Sequence, residues 1–240
     1  MQQVKYVANA SNFSKIPGSP IAYWVSRKMS DIFYNKSVQD YADVKTGMST
    51  GDNDKYLRLW TEVSIQKISL YSSEMDQINL GHTPWIPYNK GGDARKWYGN
   101  NEYVVKWSEY KHFHRPRLTY NELFLKEGLT WSFVTSGMFS ARYYRKGFLW
   151  DVAGSPCVVK DRKNLKYIVG LFSTKIVSIV LKLINPTLNC QVIDIQRVPV
   201  IIDFERRDNI VNLSDVSIEI SVRDWDSFET SWDFKKHPLI

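Results

Sequence analysis

The feature that most constrains the fold of this chain is the irregular order of its helical and extended segments. The strongest helix signal covers residues 174–184, which follow Ser173 as an N-cap and end before Asn185-Pro186. Segments 56–60 and 128–134 are instead rich in β-branched and aromatic residues, which is typical of strands. Because the two kinds of segment do not alternate regularly, we predict an α+β fold, with a mixed or antiparallel sheet and supporting helices.

Three further segments complete this prediction. Apolar residues at near-helical spacing predict a helix over 20–33, with Ser19 as its N-cap and Pro20 at its first position. Residues 148–153 and 156–159 read as two paired strands on either side of a turn. The tail from 204 to about 222 is predicted to be helical.

Composition narrows the class of protein. A hydrophobic content of 43% is enough for a core and argues against wholesale disorder. The net charge of +7 favours an anionic partner, nucleic acid before membrane. No apolar run approaches the length of a bilayer span, and the N-terminus lacks a signal-peptide core, so we expect a cytoplasmic protein without membrane partners. Cys157 and Cys190 form neither a disulfide framework nor a zinc motif.

The positive charge is unevenly distributed along the chain. Segment 85–117 has seven Lys and Arg against three Asp and Glu, whereas the segment from 201 to the end has five against nine. We therefore expect the acidic tail to face away from any polyanion. The predicted organisation is a lead-in over 1–18, one domain over 19–203 and a helical acidic extension over 204–240.

Three stretches combine cations with glycine or aromatic residues. Segment 85–98 joins Trp and Tyr side chains to Lys-Gly-Gly, which makes a fair phosphate-and-base surface but also fits a solvated hairpin. The loop over 47–55 could hold a phosphate through backbone N–H groups, although a plain turn fits its two glycines better. Segment 142–146 likewise combines Arg with Tyr, which can bond or stack with a base or a phosphate. An exposed basic turn is the alternative interpretation.

The sequence offers no catalytic motif. It has no Gly-x-Ser-x-Gly, no Gly-x-Gly-x-x-Gly and no His-Glu-x-x-His. His112 and His114 share one face if the segment is a strand, but no third ligand stands at metal-binding spacing, so a packed or DNA-facing position is the better interpretation. We predict neither catalytic residues nor a metal site, and interpret the chain as a binding protein.

Four segments carry a resemblance to a known family. Segments 15–24, 42–60, 85–98 and 229–234 resemble, in order, the region that follows the methyltransferase domain in PglX-type adenine-specific methyltransferases of BREX phage-defence systems. The helix over 171–186 and the following 192–200 also resemble target-recognition domains of type I specificity subunits and type IIG enzymes. The resemblance implies a single target-recognition-type domain that binds double-stranded DNA.

The chain departs from that family in one respect. Complete members carry a Phe-x-Gly-x-Gly motif for S-adenosylmethionine and a catalytic Asn-Pro-Pro-Tyr, whereas here Asn185-Pro186 is followed by Thr187. The resemblance therefore implies a non-catalytic C-terminal part without a cofactor of its own, S-adenosylmethionine belonging to the parent enzyme. Its implied partners are double-stranded DNA, the methyltransferase domain, and possible further BREX components or DNA-mimicking phage inhibitors.

The candidate DNA-binding residues come from the three basic stretches. They are Lys45, Thr50, Asn53, Lys55, Tyr88, Asn89, Lys90, Arg95, Lys96, Arg115, Arg142, Tyr143 and Arg145. Asn89 is a candidate for reading adenine, and an arginine for reading guanine. Two rivals remain: a protein-interaction module of a defence complex, and a retained nuclease or other enzymatic activity.

Overall fold

Short strands form two four-stranded sheets in the residues that the computed structural model describes, which are 10–134, 138–237 and 239–240. The strands are β1 (Ala42–Val44), β2 (Leu57–Leu59), β3 (Trp85–Asn89), β4 (Tyr103–Lys106), β5 (Gly128–Trp131), β6 (Ala141–Tyr144), β7 (Leu149–Trp150) and β8 (Pro156–Val159). The first sheet has the order β1-β8-β5-β6 and is antiparallel throughout. The second has the order β2-β4-β3-β7, and its β3–β7 pair is parallel.

The predicted pairing of segments 148–153 and 156–159 is wrong. Strand β7 pairs with β3 in the second sheet, whereas β8 pairs with β1 and β5 in the first. Between them the chain makes a 3-10 turn at Val152–Gly154, whose N-cap Asp151 accepts a hydrogen bond from the Ala153 N–H. This turn carries the chain from one sheet to the other instead of folding it back on itself.

Helices cover one side of the first sheet. The α-helices of the described residues are α1 (Arg27–Asp31), α2 (Val38–Tyr41), α3 (Asn53–Tyr56), α4 (Leu165–Phe172), α5 (Lys175–Ile184), α6 (Val192–Gln196) and α7 (Arg207–Trp225), of which α3 packs on the second sheet instead. The predicted helices over 174–184 and 204–222 are confirmed as α5 and α7. The N-cap of α5 is Thr174 and not Ser173, because the Thr174 hydroxyl accepts the Val177 N–H. The mixture of helices and sheets confirms the α+β prediction.

The predicted helix over 20–33 is wrong in its first half. Ser19 has a φ of 48°, in the left-handed region, so it cannot start a helix as an N-cap. The next residues form tight turns, in which the Ala22 N–H bonds to the carbonyl of Pro20. The helix α1 begins only at Arg27, where Ser26 caps it by accepting the Met29 N–H.

The first sheet lies between two hydrophobic cores. Successive strand side chains point to opposite faces, so Tyr143 and Cys157 pack among the helices while Tyr144 and Val158 pack into the second sheet's core. The second core is aromatic: Trp107 lies edge-on to Phe124, with ring centroids 5.6 Å apart. As a result, helices cover one surface of the protein, and strand ends and loops form another.

Helix α7 closes the helical side. It packs against α4 at a point where a Cβ on Gly170 would lie 2.3 Å from the Ser214 Oγ, so only glycine permits this approach. Beyond α7 the tail returns to the second core, where Trp232 lies 5.8 Å from the Phe148 ring. The acidic tail is thus part of the packed structure.

In the described part of the chain, no single helix is long and apolar enough to cross a membrane. One consecutive pair, Arg162–Phe172 and Lys175–Ile184, passes that test jointly, with a bend of 81° between its members.

Candidate nucleic-acid interface

The loop over 46–55 lies along the turn that follows β7. The Met48 N–H bonds to the Trp150 carbonyl at 2.7 Å, and the Val152 N–H bonds back to the Met48 carbonyl at 2.9 Å. At Gly47 the two backbones are so close that a Cβ would lie 2.0 Å from the Asp151 carbonyl oxygen. Glycine is therefore required here by close approach of the backbone.

On its other side, the loop over 46–55 contacts the segment from His114 to Tyr120. Ser49 and Arg115 exchange backbone hydrogen bonds of 3.1 and 2.9 Å, and the His114 N–H bonds to the Thr50 carbonyl at 3.2 Å. The Tyr120 hydroxyl donates to the Thr46 carbonyl. The loop is thus fixed by two strand-like neighbours, which gives its side chains defined positions.

A buried carboxylate positions Lys90 beside this loop. The Lys90 Nζ lies 2.7 Å from Oδ2 of Asp151, and the Tyr88 hydroxyl donates to the same oxygen at 3.3 Å. The Asp151 side chain is 9% exposed and that of Lys90 is 28% exposed. Burial, and then the charge of Asp151, raises the pKa of Tyr88 well above its ordinary value, so Tyr88 remains a neutral donor. Lys90 consequently points in a fixed direction, with part of its ammonium group accessible.

Two adjoining clefts open between these groups. The inner cleft, about 220 Å³, is lined by Thr50, Asn53, Lys90 and Asp151 together with loop backbone. The outer cleft, about 420 Å³, shares Asn53 and Lys90 with the inner one and continues past Arg58 and Tyr103. In the floor, the buried Thr50 hydroxyl donates to the Asn53 Oδ1 at 2.9 Å. Asn53 and Lys90 are therefore the side chains that both clefts present.

Exposed basic side chains lie beside the clefts. We call the following residues the basic rim: Lys55, Lys111, His112, His114 and Arg115. The pKa of Glu109 is lowered by Lys106 first and also by His112 and Lys55, which places these two rim residues near the same carboxylate. Arg115 and His114 adjoin the loop through the backbone bonds described above. Exposed basic side chains near a cleft suit a polyanion, and the exposed carboxylates of Asp52 and Asp54 on the same loop offset part of their charge.

The second group of predicted cations lies elsewhere and is structural. Arg142 is 1% exposed, and its guanidinium donates to the Gly91 carbonyl at 3.1 Å and to the Ser132 hydroxyl at 3.0 Å. It also donates to the carbonyls of Asp93 and Arg95 at 3.4 Å. Burial lowers the pKa of Arg142 to about 10, which leaves it protonated at neutral pH. Arg142 therefore holds the 91–95 loop in place.

The acidic tail contacts the remaining cations of this group. Arg95 lies 3.8 Å from Asp224 and 5.0 Å over the Trp225 ring. Arg145 lies 3.5 Å from Asp233. The tail covers part of the basic sequence, so these cations are already matched by carboxylates. That the tail faces away from a bound polyanion stays a prediction.

The structure thus divides the predicted site residues. Thr50, Asn53, Lys55, Lys90 and Arg115 come together at the clefts and the basic rim. Lys45 is half-buried where its backbone N–H extends the β1–β8 pairing to Pro156. Lys96 donates to the Ser173 carbonyl at 3.1 Å, at the end of α4.

Four predicted contacts have buried side chains, which corrects their assignment to the DNA surface. Tyr88 and Asn89 lie beneath the clefts at the end of β3, with exposures of 0% and 3%. Tyr143 packs in the first core, and its hydroxyl donates to Glu127 at 2.7 Å. Arg142 is the fourth. Each needs its neighbours to move before it could touch a ligand, because both faces of the strand that carries it are covered at these positions.

Residue-by-residue reading of the sequence missed Asp151 and three members of the basic rim. Lys111, His112 and His114 stood in a basic segment, but only Arg115 was selected from it. The useful signal was the density of cations and histidines over 111–115 without an acidic residue. No local sequence pattern points to Asp151, because its ion-pair partner Lys90 is 61 residues away.

Comparison with known proteins gives the chain's relatives. It is 36% identical over 248 aligned residues to the adenine-specific methyltransferase PglX of Lacticaseibacillus casei, which covers 98% of this chain and 20% of that protein. It is 36% identical over 235 residues to the adenine-specific methyltransferase BrxX of Escherichia coli, covering 96% of this chain and 19% of that protein. No protein-family model matches it.

The chain spans about a fifth of the length of these curated relatives. The alignments nevertheless extend over nearly all of its residues, so the likeness is not confined to one motif. The chain is therefore homologous to one portion of adenine-specific methyltransferases of the PglX and BrxX type.

Proposed function

We propose that this chain is the sequence-specific double-stranded DNA recognition part of a BREX-type N6-adenine DNA methyltransferase. The observation that carries the proposal is that a chain homologous to a fifth of such enzymes has a cleft with Lys90 in its lining, formed by a loop that exposed Arg115 and His114 adjoin. Lys55 and Arg115 of the basic rim bind DNA phosphates, and the side chains that line the clefts contact base edges. This division of roles is the usual one in protein–DNA interfaces.

Methylation itself is assigned to the rest of the parent enzyme. The target adenine has to leave the base stack before its amino group can be methylated, and S-adenosylmethionine supplies the methyl group. This sequence contains no Asn-Pro-Pro-Tyr, so we assign it neither catalytic residues nor a cofactor. Its proposed partners are DNA, the methyltransferase domain and other BREX components in the cytoplasm; a DNA-mimicking phage inhibitor would compete for the same rim.

A salt series of binding to mixed-sequence duplex DNA tests the proposal. Lys55→Gln/Arg115→Gln removes two rim cations, and Arg95→Gln/Arg145→Gln is the matched control because it removes two cations that face the tail. Each lost phosphate contact lowers the slope of log affinity against log salt by about 0.9. The rim variant should flatten the slope by about two, and the control should leave it near that of the wild type.

The main alternative is a protein-interaction module. It is favoured by an exposed apolar surface at the N-terminal side, where Trp24 and Tyr34 are 59% and 72% exposed. Absence of DNA binding at low salt would support this alternative. Equal slopes for the two double variants, with binding retained, would move the DNA surface away from the basic rim.

A further inference from the structure

The two clefts present hydrogen-bond donors at the same place. Because Thr50 donates to the Asn53 Oδ1, the amide Nδ2 of Asn53 faces outward, and it has no hydrogen-bond partner among the described residues. Lys90 gives one ammonium hydrogen to Asp151 and keeps two others. Both side chains line both clefts. The protein thus offers two separate donors, each oriented by a buried acceptor or donor beneath it.

The charge of the clefts disfavours a phosphate as their ligand. Lys90 and Arg58 are their cations, whereas Asp151 lines the inner cleft and Asp54 and Glu62 line the outer one. A phosphate would bring its negative charge close to three carboxylates facing two cations. A neutral group with hydrogen-bond acceptors meets no such repulsion. The phosphates have a better site on the basic rim, where Lys111 and Arg115 are exposed.

We infer that Asn53 and Lys90 read the major-groove edge of guanine, with the Asn53 amide donating to N7 and the Lys90 ammonium to O6; this inference rests on the proposed DNA-recognition function. Guanine is the base that presents two acceptors side by side in the major groove, N7 and O6, whereas adenine presents one acceptor and one donor. Two donors therefore match guanine and mismatch adenine. The carboxylates of Asp54 and Glu62 in the outer cleft are acceptors of the kind that suits the N4 amino group of the paired cytosine.

In this proposed contact with guanine, Thr50 and Asp151 act as positioning residues. Asp151 fixes the Lys90 ammonium and neutralises its charge, so Lys90 acts as a directed donor more than as a free cation. Thr50, buried under the loop, determines which end of the Asn53 amide faces the ligand. Lys90 should consequently contribute to base preference and little to the salt slope, which separates it from Lys55 and Arg115 of the basic rim.

The test begins with selection of a preferred site from a randomised duplex library by the whole chain. Each guanine of the selected site is then replaced singly by 7-deazaguanine, which lacks the N7 acceptor, and the Kd is measured for wild type, Asn53→Ala and Lys90→Met. We expect one guanine at which 7-deazaguanine weakens wild-type binding by about 10-fold. At that guanine Asn53→Ala should show no further loss, while the control Arg95→Gln keeps the wild-type loss.

The outcomes separate this inference from the proposed function. Asn53 is exposed, so its variant tests the idea even where Lys90→Met folds poorly. The inference is overturned by site-specific binding in which Asn53→Ala keeps every 7-deazaguanine penalty, or by binding with no guanine-dependent position. It is also overturned if Asn53→Ala weakens all duplexes equally and flattens the salt slope, which indicates a phosphate contact. No DNA binding at low salt instead removes the proposed function and the inference with it.

Discussion

Two regions of this protein combine cations with glycines and have different electrostatic surroundings. They are the loop over 46–55 with the basic rim, and the segment around Arg95, Arg142 and Arg145. In the first region the rim cations are exposed beside two clefts. In the second, Arg142 is surrounded by backbone carbonyls, and Arg95 and Arg145 face tail carboxylates.

The difference lies in what the chain brings opposite each cation. Arg142 stands on the edge strand β6 with its side chain buried beside the 91–95 loop, so its charge has to be satisfied by the carbonyls of that loop. Arg115 stands in an extended segment whose backbone pairs with Ser49, which leaves its side chain to solvent. A basic segment therefore stays exposed only where the fold supplies no internal acceptor.

The largest effect that would test this comparison is expected from Arg142→Met. It removes the donors to the carbonyls of Gly91, Asp93 and Arg95 and to Ser132, leaving buried acceptors without partners. We expect the free energy of unfolding to fall by about 3 kcal/mol, as measured by urea denaturation.

Arg95→Met is the control for that substitution. Its pair with Asp224 is long and its side chain is 41% exposed, so the loss should stay below about 1 kcal/mol. Equal losses for the two variants would contradict the assignment of Arg142 as a buried structural cation and Arg95 as a surface one.

A smaller effect is expected from the tyrosine beneath the clefts. The pKa of Tyr88 is raised in the folded state, so its contribution to stability is fully present below pH 10 and is lost as the pH rises further. At pH 11 this loss amounts to about 1.4 kcal/mol relative to neutral pH. Tyr88→Phe should therefore show a shallower decline of the free energy of unfolding between pH 10 and 11.

Measurement of unfolding at several pH values, with the phenolate absorbance followed in parallel, checks this prediction. Tyr34, which is 72% exposed, offers Tyr34→Phe as the control, and this variant should keep the wild-type decline. An unchanged pH dependence for Tyr88→Phe would mean that the floor of the clefts is open to water.

The smallest effect on stability is expected from Asp224→Asn/Asp233→Asn. Both ion pairs lie at the surface, so the free energy of unfolding should change by less than about 1 kcal/mol. The substitution leaves Arg95 and Arg145 without carboxylates, so nonspecific DNA affinity at low salt should rise. Glu205→Gln/Glu229→Gln, which removes two exposed acids of the tail that have no ion-pair partner among the described residues, is the control. Equal gains for both variants would mean that net charge alone explains the change.

Individual helices and strands show which parts of the fold could be predicted from the sequence. Helices α5 and α7 were predictable because their apolar spacing and their ends are local properties. Helix α1 was misplaced because the left-handed Ser19 and the turns after it are compatible with an apolar pattern that reads as helical. The partners of β7 and β8 were missed because strand pairing joins segments far apart along the chain.

By itself, the sequence determined the α+β class, the basic middle and acidic tail, and the resemblance to PglX-type enzymes that the relatives support in part. These are properties of composition and local order. Only the tertiary structure decided which cations face solvent, because Arg95, Arg142 and Arg145 differ from Arg115 through partners that long-range contacts bring to them. Likewise, the pair of Lys90 and Asp151 exists only because β3 and β7 pair in the second sheet, which places the residues that follow these strands side by side and orients Lys90 at the clefts.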